Sequence, residues 1–434
     1  MRDYLIVAFV VGSLPVGLFR PYYGLLVYAW ISYMNPHLWA WSFAQTFPVA
    51  KLSALSALGG SALAGAASPA PLRYRENVMM LLLWGMFTMS TIFAIYPAQA
   101  WAKWQDVSKL ILMGLLTSML LRDRQRVRLF LLVVAFSLGI YGFKGGLFSI
   151  LTGGKYMVQG PGDSIIGANN NIGLAFVASV PLCWYLANEE RGWLRLALRA
   201  TALLTVPAIM FTYSRASVMA LAVVLAAIFI KSRYRVPLIT GAVILAVLAI
   251  PYIPEKWWNR QQTVFTYEQD PSAMSRIDNW KFCWRMAMDR PLTGAGFSYM
   301  TREVFQKYAP EFLHTYGGKV WDTHSIYLAM LASHGFPGLI IFCTMIAMCF
   351  LSCAHMKRAV RRRSDLGWIA TYSTLIQLSL LGYLINGAFV NMEYFDLLYD
   401  WVAVVVSLRM ICRRELASEE TEEPLTWSAP VLAT

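Results

Sequence analysis

The chain has 434 residues, 58% of them hydrophobic, with a mean hydropathy of +0.50 and a net charge of +13. Soluble domains carry about 45–50% apolar and about 25% charged residues, whereas Asp, Glu, Lys and Arg make up only 14% here. One soluble core cannot hide that apolar excess, so a water-soluble enzyme is excluded, and the 16 Trp and 22 Tyr suit a protein with two membrane–water interfaces.

A helix crosses a bilayer with about 20 mainly apolar residues. In chain order the span cores are Tyr4–Phe19, Tyr22–Trp41, Val78–Ile95, Val107–Leu121, Leu129–Leu151, Ile172–Ala187, Leu196–Tyr213, Ala216–Ile230, Val236–Ile253, Ile326–Cys353, Leu366–Val390 and Leu397–Cys412. Val49–Ala67, rich in Ala, Ser, Leu and Gly with Lys51 near its start, reads as a re-entrant or surface helix, because a thirteenth span would disturb the charge pattern.

Short cytoplasmic loops collect Lys and Arg. With the N-terminus inside, the inner segments hold 22 of the 37 basic residues, including Arg2, the run Arg122, Arg124, Arg126 and Arg128, and Arg361 to Arg363. The short outer loops hold only Arg20, Lys103, Lys109, Lys144, Lys155 and Arg215. This pattern predicts an all-α polytopic membrane protein of about twelve spans with both termini cytoplasmic. Nine spans fill 1–253, a long outer loop 254–323, three spans 324–412, and an acidic, disordered cytoplasmic tail 413–434. The positive charge is then mostly topological, and no nucleic-acid partner is needed to account for it. No small-residue cleavage site follows the first apolar stretch, so it reads as an uncleaved anchor. Only Cys283 of six cysteines falls in an outer loop, and no Cys/His cluster has zinc spacing.

The chemistry gathers on the outer side. Gly160-Pro161-Gly162-Asp163 and Gly167-Ala168-Asn169-Asn170-Asn171 precede span six; the run reads as a plain turn or as amides offered to a polar ligand. Phe211-Thr212-Tyr213-Ser214-Arg215-Ala216-Ser217 joins spans seven and eight with almost no loop. That places Arg215 at the hydrocarbon boundary, where a cation is costly unless paired, hydrated or snorkelling to the interface. In the long loop, Pro271–Pro291 reads as a helix with Arg276, Trp280 and Trp284 recurring every four residues on one face. Such a helix rests on the membrane surface with its indoles among the headgroups, and the same face can present a functional Arg276. Trp321-Asp322-Thr323-His324-Ser325 opens span ten with His324 at its outer end, while His334 lies inside the span and packs against a neighbour. Glu393, Asp396 and Asp400 bracket the start of span twelve, either lining the cavity or pairing with an arginine. Arginine suits bidentate pairing with phosphate oxygens. A neutral His near pH 7 accepts a proton from a hydroxyl. A membrane lipid with a phosphate-linked head would satisfy both.

At these residues the sequence resembles the O-antigen ligase family, the WaaL/Wzy_C class of polytopic glycosyltransferases. The motifs are the Asn-rich turn, Tyr213-Ser214-Arg215-Ala216-Ser217, Arg276…Trp280…Pro291…Gly294-Ala295-Gly296, and Thr323-His324-Ser325-Ile326-Tyr327-Leu328 followed by Gly335-Phe336-Pro337-Gly338. Tyr33-Met34-Asn35-Pro36-His37 resembles exosortase-associated O-glycosylation ligases. The resemblance implies a GT-C-like fold in the bacterial inner membrane and glycan transfer from undecaprenyl pyrophosphate to lipid A–core oligosaccharide on the periplasmic side, without metal or cofactor. By position it implies that Arg215 and Arg276 bind the pyrophosphate and that His324 is catalytic. Asp322, Asn170, Ser214 and Tyr213 are possible supporting residues, Asp322 either orienting His324 or serving as base itself. An O-antigen polymerase, a protein O-oligosaccharyl ligase, and a lipid or solute transporter are the alternatives.

Overall fold

The structure, a computed structural model, describes residues 1–65, 68–231, 236–237, 239–241, 253–262 and 271–420. All regular secondary structure among them is helical, and six helices are long and apolar enough to cross a membrane: Arg2–Phe19, Arg124–Leu151, Asn169–Glu189, Gly192–Met210, Ile326–Ala359 and Gly367–Gly387. The chain is thus an all-α polytopic membrane protein. In order, α1 is Arg2–Phe19, α2 Pro21–Met34, α3 Val49–Leu63, α4 Arg75–Ile92, α5 Pro97–Leu120, α6 Arg124–Leu151, α7 Asn169–Glu189, α8 Gly192–Met210 and α9 Arg215–Lys231. After Glu255–Gln262 (α10), Pro271–Asp289 (α11), Arg302–Tyr308 (α12) and Pro310–Thr315 (α13) come α14 Ile326–Ala359, α15 Gly367–Gly387 and α16 Asp396–Glu420.

The bundle has two ends. At the basic end, Arg128 pairs with Glu190 at 2.5 Å, Arg124 with Glu189 at 3.0 Å, and Arg409 with the fully buried Glu76 at 2.5 Å, tying α4, α6, α7 and α16. At the distal end, the Ile95 amide donates to the Ala295 carbonyl at 3.0 Å and the Tyr213 hydroxyl to that of Gly154 at 2.8 Å.

The first two helices run opposite to the direction read from charge. The Tyr22 hydroxyl donates to the Arg126 carbonyl at 2.9 Å, so the α1–α2 turn with Arg20 lies at the basic end. The other end of the hairpin is distal. There Asp3 accepts from the amide and hydroxyl of Ser42 at 2.9 Å each, Trp39 donates to the Tyr141 hydroxyl at 2.9 Å, and Lys144 stands 5.0 Å from the Trp39 ring. Residue 1 and the α16 C-terminus therefore sit at opposite ends of the bundle, which corrects the expectation of both termini on one side. His37, in the same 36–39 turn, is distal as well.

The physical reason is α3. Instead of lying on the surface or turning back, Val49–Leu63 runs beside α1 from the level of Val10 and Ile31 to the basic end. Small residues permit the close approach. A Cβ on Gly60 would lie 2.4 and 2.5 Å from the Leu18 and Gly17 carbonyl oxygens, so only glycine fits. Other differences are local. Helix α16 continues through Glu420, so the start of the tail expected to be disordered is helical, with Arg414 reaching the Arg122 carbonyl. Residues 421–434 and most of the expected span Val236–Ile253 lie outside the described residues. Asp396 and Asp400 neither line the cavity nor pair with arginine: they accept from Tyr28 at 3.1 Å and Tyr33 at 2.5 Å inside the bundle.

The long loop has an apolar core of its own. Phe282 of α11 stacks on Phe305 of α12 at 3.9 Å, and Tyr299, Phe312 and Leu313 close around them. It docks where α14 is kinked at Gly335, whose φ of 67° and ψ of −172° are not helical. The Phe336 amide there bonds the Pro291 carbonyl at 2.9 Å, and the amides of Ala295 and Gly296 bond the carbonyls of Ala332 and Ser333 at 2.9 Å.

Candidate active site

Arg215 opens α9 directly after a sharp turn. Tyr213 takes the left-handed conformation with φ of 57°, and the hydroxyl of the buried Ser214 caps the helix by accepting from the Ser217 amide at 3.3 Å. Ser217 in turn receives the Asn386 amide at 2.8 Å. From α7, Asn169 donates to the Thr212 carbonyl at 2.9 Å. Tyr213 and Ser214 therefore shape the Arg215 turn, their hydroxyls being committed to Gly154 and to the cap. The amide-rich run braces this turn through Asn169, while Asn170 is half-buried beside it.

Arg276 lies on α11, and the fold brings it to Arg215. Both line one cavity of about 530 Å³ between α9 and α11, with Gln261 as the other polar wall and Val218, Met219, Ile277, Trp280 and Phe389 among the apolar ones. Met219 is 46% exposed, which places this cavity at the outer, lipid-facing side of α9. The expected Arg276–Trp280 face thus packs on protein and borders a cavity. Trp284 is exposed and meets Phe336 edge-on at 5.9 Å.

His324 does not line that cavity. It lies within electrostatic reach of Arg276, on a non-helical segment clamped to α11. Asn279, fully buried, donates to the carbonyls of Trp321 and Asp322 at 2.6 and 2.9 Å, and Trp280 donates to that of Thr323 at 3.0 Å. The Thr323 hydroxyl is bonded to Tyr299 at 2.9 Å, and the Ser325 amide to Asn391 at 3.2 Å. Held so, His324 adopts a φ of 50°, an uncommon left-handed conformation of the kind that concentrates at functional sites. Burial lowers its pKa below the ordinary 6.5, and the Arg276 guanidinium lowers it further, against a smaller opposing pull from Asp322. The imidazole is accordingly neutral at pH 7, the form that accepts a proton. Asp322 itself is exposed.

Two groups were not separable in the sequence. Asn279 is one residue among many on α11, marked only by its position one turn after Arg276. Glu393 looked equivalent to Asp396 and Asp400, yet it is buried in the 388–395 loop with its Oε2 unpartnered. Burial pushes its carboxyl up to about 7, against smaller downward pulls from a hydrogen bond with its own backbone amide and from Lys103, and with a weaker push from Asp322. His334 is a packing residue as expected, its ring bonded to Ser90 at 2.6 Å and Tyr394 at 2.7 Å. Among the described residues no group of three or more His, Cys, Asp or Glu is arranged to hold a metal ion.

Residues 200–343, which contain Arg215, Arg276 and His324, match the family described as O-antigen ligase, Wzy_C. The chain carries a domain of the O-antigen ligase family. Members of that family are glycosyl-transfer enzymes, and at this level the domain is O-antigen ligase-like. Residues 1–191 match a family of unknown function, DUF5935. The search of curated proteins returns no match. The matched segment 200–343 thus includes the turn, the loop helix and the His324 segment of the candidate site, while α1 to α7 fall in the other match.

Proposed function

We propose that the protein is an O-antigen ligase. It transfers a glycan from undecaprenyl pyrophosphate to a hydroxyl of lipid A–core oligosaccharide, on the periplasmic face of the inner membrane, by metal-independent inverting displacement. The observation that carries this reading is the pair of guanidiniums, Arg215 and Arg276, on one apolar-walled cavity. Such a cavity suits an amphiphile with an anionic head: the polyprenyl chain meets Val218, Met219 and Ile277, and the pyrophosphate meets the two arginines.

The reaction follows from the charges. The acceptor hydroxyl attacks the anomeric carbon and gives its proton to the His324 imidazole, while the bond from that carbon to the pyrophosphate oxygen breaks on the opposite side. Negative charge grows on the leaving group, where two fixed cations in a partly dehydrated cavity stabilise it most. The neutral state of His324 is the one this role requires, and Arg276 helps maintain it. Asp322, close enough to oppose that effect, would favour the imidazolium once the proton has arrived.

A deletion strain tests the reading. Loss of long-chain lipopolysaccharide with accumulation of lipid-linked polymer is the expected result. A single repeat unit on core would instead indicate a polymerase, and intact lipopolysaccharide with missing glycoprotein a protein ligase. Transfer by the purified protein should also persist in EDTA; its abolition would refute the metal-independent step.

A further inference from the structure

The basic end, opposite the Arg215 cavity, carries a second pocket. Its volume is about 500 Å³, and it lies between the α1–α2 turn and the α5–α6 turn. Arg20, Arg122 and Arg126 line it together with a single carboxylate, Asp123, leaving an excess of two positive charges. Two of the three guanidiniums are tied to backbone carbonyls: Arg122 donates to that of Met119 at 3.0 Å and Arg126 to that of Leu120 at 3.1 Å. Arg126 also pairs with Asp123 at 3.2 Å and lies 5.1 Å from the Tyr22 ring. Arg20 is exposed at the rim. Next to it Phe19 is 77% exposed, at the end of the α1 face on which Leu5, Phe9 and Val16 are also exposed.

We propose that this pocket binds the phosphate of an anionic glycerophospholipid from the leaflet at the basic end, with the acyl chains lying along the exposed face of α1. A charge excess alone would be explained by membrane topology. A cavity that gathers three arginines between helices, two of them fixed by backbone carbonyls, is a more specific arrangement and matches basic interhelical pockets that take lipid headgroups. Continuity with the apolar α1 surface selects a lipid over a free anion, since an inorganic phosphate would gain nothing from Phe19. The site is remote from the transfer chemistry and does not depend on it.

Native mass spectrometry of the full chain, released from nanodiscs containing equal phosphatidylglycerol and phosphatidylcholine, tests the proposal. Retention of phosphatidylglycerol should exceed that of phosphatidylcholine by about 10-fold, as a few interfacial cations imply. Arg20→Glu and Arg126→Gln should each bring the ratio close to parity, while Lys144→Glu at the distal end leaves it unchanged. Arg20 is exposed, so the Arg20→Glu variant should melt like the wild type in phosphatidylcholine and remain informative if Arg126→Gln misfolds. Equal retention of both lipids, or an unchanged ratio in Arg20→Glu, would overturn the proposal. Displacement of the lipid by millimolar inorganic phosphate would overturn it too, by making the pocket a free-anion site.

Discussion

The indole N–H of Trp280 donates to the carbonyl oxygen of Thr323 at 3.0 Å, tying the helix that carries Arg276 to the segment that carries His324. The same ring borders the cavity and lies 6.3 Å from Phe389. Trp280→Phe keeps an aromatic wall but removes the bond. A loss of about 1 kcal/mol in stability is expected by thermal melting. The turnover of lipid-linked donor should fall about 10–100-fold, because the two halves of the site lose their register. Asn279→Leu strips two carbonyls of their partner at a fully buried position and should cost about 2–3 kcal/mol.

Arg215→Ala and Arg276→Ala should each lower the rate of the chemical step by about 10²–10³-fold in single-turnover transfer, if both stabilise the leaving pyrophosphate. Lysine at either position should restore little of that, since a point charge does not reproduce a bidentate fork. Near-normal rates in both alanine variants would remove the arginines from the mechanism.

The pH profile separates two bases. His324 titrates below its ordinary 6.5 because of burial and Arg276, so its base form predominates at neutral pH. If it takes the acceptor proton, single-turnover rates rise with pH through a value under 6.5 and level off above it. The buried Glu393 titrates at about 7, being protonated below and ionised above, so a profile with its midpoint near 7 would assign the proton transfer there instead. Arg276→Ala should move the His324 inflection upward, since it removes a cation that disfavours the imidazolium.

The direction of the first hairpin is open to labelling. A cysteine at Thr46 should react with an impermeant reagent from the same side as one at Lys155, and one at Arg20 from the same side as one at Arg122. The opposite pairing would restore the orientation inferred from charge. Gly60→Val should also destabilise the protein, because its Cβ would meet two backbone carbonyl oxygens that cannot move independently of α1.

Charge counting did not detect that inversion for a plain reason. Arg2 and Arg20 lie at the two ends of one helix and exchange faces, and besides them only Lys51 at the start of α3 changes side, so the bias of basic residues toward one side is hardly altered. The decisive element is α3, whose Ala, Ser and Gly residues give a weak hydropathy signal. Its path is set by shape: Gly17, Gly24 and Gly60 let backbones meet. What the sequence by itself determined is the material composition of the protein: an all-helical membrane chain, the helix from Pro271, and the arginine and histidine side chains of the candidate site. These follow from local properties, namely hydropathy over a span, capping signals, and side-chain type. Only the tertiary structure decided that Arg215 and Arg276 share a cavity, that His324 feels Arg276 without lining that cavity, and that Glu393 is a buried acid with one unpartnered oxygen while Asp396 and Asp400 are satisfied by tyrosines. Each of these depends on groups tens to hundreds of residues apart in the chain, and burial and neighbouring charge exist only once those groups are packed together.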